Sequence, residues 1–262
     1  MAEKVRTAEM SWREVEAARD RGAAVLVPMG STEEHGPHAP TGDFVIAEEI
    51  AVRVARRTDS VVVPTIPFGY SEYFRHYPGT ITLQPETLAA VVGDTVACLL
   101  DQGFRHLILV NGHKGNDVVL MPLIRRLRRE RGWLIPIVAP LGFGMPPAVQ
   151  RELYGDNPIG HGGEPIGSVM SYLFPHLVDL DRAEDWASHP FLGLPANLNG
   201  VTFQGREVGL AINMEDITPP SGSLSDPRLA SSEKGQRIVE EAVEALTAFV
   251  TWFKTVDPEV QP

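Results

Sequence analysis

Four short apolar runs alternate along the chain with longer segments in which apolar residues recur at helical spacing. The runs occupy residues 23–28, 61–64, 107–110 and 133–138. Short runs that are apolar throughout are typical of strands covered on both faces of a sheet. A helix between successive strands requires parallel crossover connections, with helices packed on the faces of the sheet. The alternation therefore predicts an α/β fold, a three-layer α/β/α sandwich with a mostly parallel sheet.

Capping and breaking residues indicate where the helices begin and end. Ser11 and Glu14 have the spacing of a capping box, which predicts a first helix that runs to about residue 21. Pro85 suits a first helical position and Gly103 suits a helix end, so a helix should connect them. Apolar spacing predicts three more helices, over residues 45–57, 117–131 and 232–253.

Residues 140–227 are richer in glycine, proline and polar residues and show weaker periodicity. We interpret them as long loops and short strands of the same domain, since no linker-like or low-complexity segment separates them. The whole chain, residues 1–262, is therefore predicted to be a single domain, which its length allows.

Composition argues against several classes of function. The formal charge of −11 offers no basic face for phosphate recognition, so nucleic-acid binding is not expected. No apolar stretch approaches the roughly 18 residues of a spanning helix, and the charged N-terminus lacks a signal-peptide pattern. We therefore expect a cytoplasmic protein without membrane contact. The one cysteine, Cys98, allows neither an internal disulfide nor a cysteine-based zinc site, and its apolar neighbours predict a buried thiol.

Two polar turns follow two of the predicted strands. The first, residues 30–38, carries Glu33 and His35 and leads to Asp43, and the second carries His113. Ligands of open α/β sheets bind outside the carboxyl ends of the strands, where these turns would lie. Imidazole and carboxylate groups are a ligand set that suits zinc or manganese. Solvated loop residues, with Asp43 as a helix N-cap, are the alternative, and spacing alone leaves both interpretations open.

Five motifs occur along the chain in a fixed order. They are Gly30-Ser31-Thr32-Glu33-Glu34-His35-Gly36-Pro37-His38, Tyr77-Pro78-Gly79-Thr80, Asn111-Gly112-His113, His161-Gly162-Gly163-Glu164 and Glu233-Lys234-Gly235. This order resembles that of the creatininase (creatinine amidohydrolase) family, and the resemblance covers the chain from about Trp12 to Phe253. Each motif is modest alone, but their common order is specific.

The resemblance implies a creatininase-like sandwich with a site for two divalent ions, zinc or manganese, with iron as an alternative. Carried over by position, Glu33 and His113 would bind one ion, His35 the other, and Asp43 would bridge them. A hydroxide held between the ions would be the nucleophile. The sequence has no G-x-S-x-G elbow and no H-E-x-x-H helix, which also favours water as the nucleophile. His161 would shuttle protons between this water and the leaving nitrogen.

The chain departs from the family pattern around the second ion. Creatininase has a metal-binding glutamate where this chain has Gly115, whereas many relatives carry a glutamate at the position of Glu164. We therefore predict Glu164 as a fifth ligand, with a surface carboxylate as the alternative. Lys114, Arg75 and His76 are predicted to contact the substrate, and a solvated side chain is the alternative for each.

The resulting hypothesis is a metal-dependent amidohydrolase that cleaves a C–N bond of a small amide, cyclic amides included. The resemblance also admits a keto-inositol ring hydrolase, a formamide deformylase and a short-peptide peptidase. A non-catalytic metal-binding relative with the same fold is the hypothesis from another class. The resemblance further implies a small-molecule substrate and a homo-oligomer, with a hexamer expected.

Overall fold

The computed structural model describes residues 4–260 and contains a four-stranded parallel sheet. Its strands are β1 (Val25–Met29), β2 (Val61–Val62), β3 (Leu107–Asn111) and β4 (Ile137–Val138), in the spatial order β2-β1-β3-β4. All three strand pairs are parallel, as the alternation of strands and helices predicts. The central strands β1 and β3 are buried along their whole length, which explains their apolar sequences.

The helices begin and end close to the predicted positions. Ser11 and Glu14 form the predicted capping box, in which each side chain accepts the backbone N–H of the other residue. None of the helices in residues 4–260 is long and apolar enough to cross a membrane. The helices of this part of the chain are α1 (Trp12–Asp20), α2 (Phe44–Thr58), α3 (Pro85–Asp101), α4 (Asp117–Arg131), α5 (Pro140–Gly144), α6 (Pro147–Tyr154), α7 (Ile166–Leu173), α8 (Met214–Ile217) and α9 (Ser232–Phe253).

Helices cover both faces of the parallel sheet. Leu26 and Ile108 belong to a core that the sheet shares with α2 and α9. Val27 and Leu109 belong to a second core, which is shared with α1, α3 and α4. Neighbouring residues of a strand point to opposite faces, so β1 and β3 contribute to both cores. The predicted three-layer α/β/α sandwich is confirmed.

Residues 140–227 contain more helix than the sequence predicts. The helices α5 to α8 lie in this segment, together with an antiparallel sheet of β5 (Ala196–Asn197), β6 (Gly200–Phe203) and β7 (Arg206–Gly209). Each of these helices has eight residues or fewer, about two turns at most. Its apolar residues therefore repeat too few times to be recognised as a helical pattern. The helices α5 and α7 pack on α9 and extend its core.

The fourth strand is shorter than the predicted run of residues 133–138. Only its last two residues pair with β3. Trp133 forms an isolated bridge with Glu259 instead. Pro136 has no N–H to donate, and proline is rare inside a strand for this reason.

Cys98 is exposed, so the prediction of a buried thiol is wrong. The face of α3 that packs on the sheet carries Leu88, Val92 and Val96. Cys98 follows Val96 by two residues and therefore points away from that face. Its apolar neighbours in sequence belong to the core, but the thiol does not.

Candidate metal centre

Adjacent strands bring the two predicted turns together. β1 and β3 pair with Met29 opposite Asn111 at their carboxyl ends. The segments that follow place Glu33 Oε1 3.2 Å from His113 Nδ1. Asp43 Oδ2 lies 3.3 Å from the same nitrogen. Residues from two distant parts of the sequence thus become neighbours because their strands are paired.

Two groups of side chains have the geometry to hold a metal ion, and they share Glu33. One group is Glu33, Asp43 and His113, and the other is Glu33, His35 and His161. The ligand atoms of each group lie within 4.8 Å of one another. Glu33 Oε1 is 3.7 Å from His35 Nε2 and 3.9 Å from His161 Nδ1. The structure therefore brings together four of the five predicted ligands and the predicted catalytic histidine.

The surroundings of His35 show that this cluster fits a divalent cation. The residue is 2 % exposed, and neither ring nitrogen has a hydrogen-bond partner within residues 4–260. A buried polar atom without a partner is costly unless a ligand satisfies it. The nearby carboxylates of Glu33 and Asp43 supply the negative charge that a cation requires. A cation of the zinc or manganese type would satisfy the imidazole and suits this donor set.

Asp43 precedes α2, but its side chain does not cap that helix. Its Oδ1 accepts the backbone N–H of Ser31 at 2.6 Å. This hydrogen bond leaves Oδ2 directed toward His113. The contacts favour the metal-ligand interpretation of Asp43 over the N-cap alternative.

Ser71 supports two of the proposed ligands from outside the cluster. Its hydroxyl donates to Glu33 Oε2 at 2.5 Å and lies 3.1 Å from His113 Nε2. The main-chain oxygen of Tyr70 lies 2.9 Å from the same nitrogen. Because Nε2 faces acceptors, the proton of a neutral His113 belongs there and Nδ1 remains free for an ion. No sequence signal marks Ser71, which lies in the loop after β2, away from both polar turns.

Charge and burial act together on the ionisable ligands. Burial favours the neutral form of Glu33, but the charge and hydrogen bond of His113 act together with the charges of His161 and His35 and lower the pKa of Glu33. Burial likewise disfavours the charged form of His113, but the carboxylates of Glu33 and Asp43 together raise the pKa of His113 well above its ordinary value. Burial lowers the pKa of His35. The carboxylate is therefore ionised, and a cation would compete with a proton for His113 Nδ1.

His161 lies against the cluster with one nitrogen directed away from it. Nε2 is 2.6 Å from the main-chain oxygen of Glu34 and 2.9 Å from its Oε1. The ring stacks on Phe74 and on His35. Burial disfavours the charged ring, but the hydrogen-bonded Glu34 raises the pKa of His161. Glu34 was not among the predicted site residues, although its position between two motif ligands was an available signal.

Glu164 lies apart from both groups, although it is fully buried. The Tyr154 hydroxyl donates to its Oε2 at 2.9 Å, and the Ser168 hydroxyl donates to its Oε1 at 2.6 Å. Both carboxylate oxygens therefore already have donors, and Glu164 connects the His161 loop to α6 and α7. This arrangement gives no support to Glu164 as the fifth ligand. The alternative of a surface carboxylate is wrong, because the side chain is inaccessible to solvent.

Gly115 borders the cluster at a position that has no room for a side chain. A Cβ there would lie 2.2 Å from Tyr73 Oη and 2.3 Å from His113 Nε2. An acidic residue at this position would have to displace the Tyr73 hydroxyl. The space beside Gly115 is thus occupied by the Tyr73 side chain, which approaches from another loop.

The three predicted substrate contacts lie outside both groups. Lys114, Arg75 and His76 are all exposed. The guanidinium of Arg75 donates two hydrogen bonds to Glu72, at 2.7 and 2.8 Å. Contact of these three residues with a substrate stays a prediction.

Comparisons with known proteins identify the family of the chain. A family model described as "Creatininase: Creatinine amidohydrolase" matches residues 8–250. Creatinine amidohydrolase of Pseudomonas putida is 33% identical over 263 residues, covering 94% of this chain and 96% of that protein. The mycofactocin precursor peptide peptidase of Mycobacterium ulcerans is 30% identical, covering 84% and 82%. The 3-dehydro-scyllo-inosose hydrolase of Thermotoga maritima is 29% identical, covering 86% and 76%.

Solved structures of metal-containing relatives share the fold. A manganese form of creatininase matches with a TM-score of 0.78 and 30% identity, covering 95% of this chain and 98% of that chain. A zinc–zinc form of a creatininase mutant gives a TM-score of 0.79 at 30% identity, covering 95% and 97%. These metals agree with the expectation of zinc or manganese. Since the family match spans most of the chain and the sandwich fold is shared, this protein belongs to the creatininase family.

Proposed function

We propose that this chain is a dinuclear metal-dependent amidohydrolase that cleaves a C–N bond of a small amide, cyclic amides included. One observation carries the proposal: Glu33 Oε1 faces nitrogen atoms of three histidines at 3.2, 3.7 and 3.9 Å. Two potential metal-binding groups that share one carboxylate suit two ions held close together. Membership of a hydrolase family supports hydrolysis as the reaction class.

Each proposed ligand has a role that its position supports. Glu33, Asp43 and His113 would hold one ion, and His35 together with the shared Glu33 would hold the other. His161, the third member of the second group, is reserved for proton transfer. By family resemblance Asp43 would bridge the ions. Its Oδ1 accepts the Ser31 N–H, and its Oδ2 faces His113 Nδ1 at 3.3 Å, where it could serve as a ligand. Divalent ions bound here supply Lewis acidity that activates water and polarises the substrate carbonyl. Burial of the ligands strengthens their electrostatic interaction with bound charge.

His161 is the proposed proton carrier. Its Nδ1 lies on the side of the shared Glu33 oxygen, at 3.9 Å, while Nε2 is held by Glu34. An imidazole with one free nitrogen accepts a proton from water and returns it to the nitrogen that leaves with the product. This role requires the ring to stay in place through the reaction, and the stacking on Phe74 supports that.

Ring opening of a keto-inositol is the second candidate function. The inosose hydrolase relative supports it, as does Lys114, which directly follows a proposed ligand and is exposed. Its ammonium group suits the carboxylate that such a reaction would release. Arg75 and His76 remain the other proposed substrate contacts. Formamide deformylation and cleavage of a short peptide are further outcomes that the same test distinguishes.

A reconstitution and substrate screen tests the proposal. The chain would be stripped with a chelator and reloaded with zinc or manganese. It would then be assayed on lactams, cyclic ureides, formamides, short peptides and cyclic ketones. We expect about two ions per chain and hydrolysis that depends on them. Asp43→Ala should abolish both metal binding and turnover, and normal turnover by this variant would contradict the bridging role.

Metal stoichiometry separates the enzyme from a non-catalytic relative. Fewer than about one ion per chain after reloading, with no turnover, would contradict the proposal. Light scattering on the same sample tests the expected homo-oligomer, for which a hexamer is the proposed state.

A further inference from the structure

We infer that Glu34 is a positioning residue that fixes the orientation of His161, a role that rests on the proposed function. Glu34 lies between two proposed ligands in the chain, yet its side chain belongs to neither metal-binding group. Its main-chain oxygen and its carboxylate both face His161 Nε2, at 2.6 and 2.9 Å. The main-chain oxygen accepts the hydrogen bond from this nitrogen, and the buried Oε1, which has no other partner within residues 4–260, lies beside it.

These contacts decide which nitrogen of His161 carries the proton. A neutral imidazole has one N–H donor and one acceptor nitrogen. Since both neighbours of Nε2 are acceptors, the proton belongs on Nε2 and donates to Glu34. Nδ1 then keeps its lone pair on the side of Glu33 Oε1. This is the state that a general base requires.

Stacking alone does not select this orientation. The Phe74 ring stacks on the His161 ring with a centroid distance of 4.1 Å. The His35 ring also stacks on it, with a centroid distance of 4.9 Å. A half-turn of the ring about its bond to Cβ would preserve both stacks but would exchange nitrogen and carbon atoms at its edge. Only a partner at the edge distinguishes the two orientations, and Glu34 is that partner.

The Glu34 side chain is itself held in place. The residue is 6 % exposed, and its Oε2 accepts the backbone N–H of Gly36 at 2.8 Å. Gly222 packs directly against the carboxylate, where a Cβ would lie 2.5 Å from Oε1. Gly222 also has a φ of +74°, a conformation that favours glycine. The backbone of this second loop leaves the carboxylate little freedom to move away from His161.

Substitution of Glu34 in the zinc-loaded protein tests the inference. Glu34→Ala removes the carboxylate, Glu34→Asp withdraws it by one methylene, and Glu34→Gln keeps an oxygen acceptor of the same length. We expect kcat to fall at least about tenfold for the Ala and Asp variants, because a positioned base contributes about 10²–10⁴-fold. KM and zinc content should stay unchanged. Glu34→Gln has a single side-chain oxygen for two donors, the Gly36 N–H and the His161 Nε2–H, so its kcat should lie between those of the parent and of Glu34→Ala. Glu49→Gln, an exchange on the outer part of α2, is the matched control.

A measurement without substrate completes the test. In ¹⁵N-histidine-labelled, zinc-loaded protein, the Nε2–H of His161 should give a slowly exchanging resonance. Glu34→Ala keeps the main-chain acceptor but not the carboxylate, so it should shift this resonance and make its exchange faster. Loss of zinc in the variants would assign Glu34 to the metal ions and overturn the inference. Full kcat and an unchanged resonance would also overturn it. If the parent hydrolyses nothing while the resonance behaves as expected, the proposed function fails and the positioning contact stands.

Discussion

Glu33 and Glu164 are two buried carboxylates with opposite surroundings. Both are at most 2 % exposed, and both belong to motifs of the same family. Glu33 Oε1 faces three imidazole nitrogens, whereas each oxygen of Glu164 accepts a hydroxyl hydrogen bond. Glu164 is therefore satisfied by the protein, and Glu33 is arranged to share a cation. The two carboxylates do not differ in burial or in motif membership, but they differ in the atoms around their oxygens.

The largest expected effect comes from changing the carboxylate of the cation cluster. Glu33→Gln should reduce kcat/KM at least about 1,000-fold, since a metal site supplies several kcal/mol and each 1.4 kcal/mol is about tenfold. Because both groups share Glu33, the variant should lose both ions. Elemental analysis and kinetics on the reconstituted protein measure this. A variant that retains both ions would remove the distinction between the two carboxylates.

Glu164 should behave in the opposite way. Glu164→Ala leaves the buried hydroxyls of Tyr154 and Ser168 without their acceptor, so unfolding should become easier by about 2–4 kcal/mol. Metal content should remain that of the parent. Urea denaturation and elemental analysis measure the two quantities, with Glu164→Gln as the milder matched variant. Loss of an ion from Glu164→Ala would restore Glu164 as the fifth ligand that the sequence predicts.

Each of these two carboxylates accepts a hydrogen bond from a serine hydroxyl, and substitution of the serines extends the comparison. Ser71→Ala removes the hydrogen bond to Glu33, and zinc affinity should fall about 10- to 100-fold, as for other outer partners of metal ligands. Ser168→Ala removes the corresponding bond to Glu164 and should lower stability without changing zinc affinity. Titration against a chromophoric chelator gives both affinities. Equal zinc affinities in the two variants would show that Ser71 does not support the metal site.

The smallest effect is expected far from either carboxylate. Ser11→Ala removes the α1 cap and should cost about 1 kcal/mol of stability, with metal content unchanged. The hydrogen bonds from Lys4 and Ser11 lower the pKa of Glu14 from 4.5 to about 2. These contacts therefore contribute fully to the stability of the folded state above pH 4.5, and their contribution is lost as the pH falls toward 2. Acid titration of both proteins by circular dichroism should show the difference shrinking in that range.

The parts of the molecule that the sequence predicts well are those in which local pattern decides the structure. Buried strands are apolar throughout, so β1 and β3 and the turns after them were identifiable. The short helices of residues 140–227 were not, because each completes too few turns to show a period. The direction of a side chain is tertiary information: the position of Glu164 in its motif says nothing about its contacts with Tyr154 and Ser168. Ser71 reaches the site only because a loop folds over it.

The pairing of Met29 with Asn111 also affects how the protein folds. The two proposed halves of the metal centre, at Glu33 and His113, lie far apart along the chain and meet only after β1 and β3 are side by side. A cation that binds both halves therefore acts as a non-covalent cross-link across the centre of the sheet. It binds the native state and not the unfolded chain, so the unfolding temperature should rise with metal concentration. Metal supply would then set the lifetime of the protein as well as its activity.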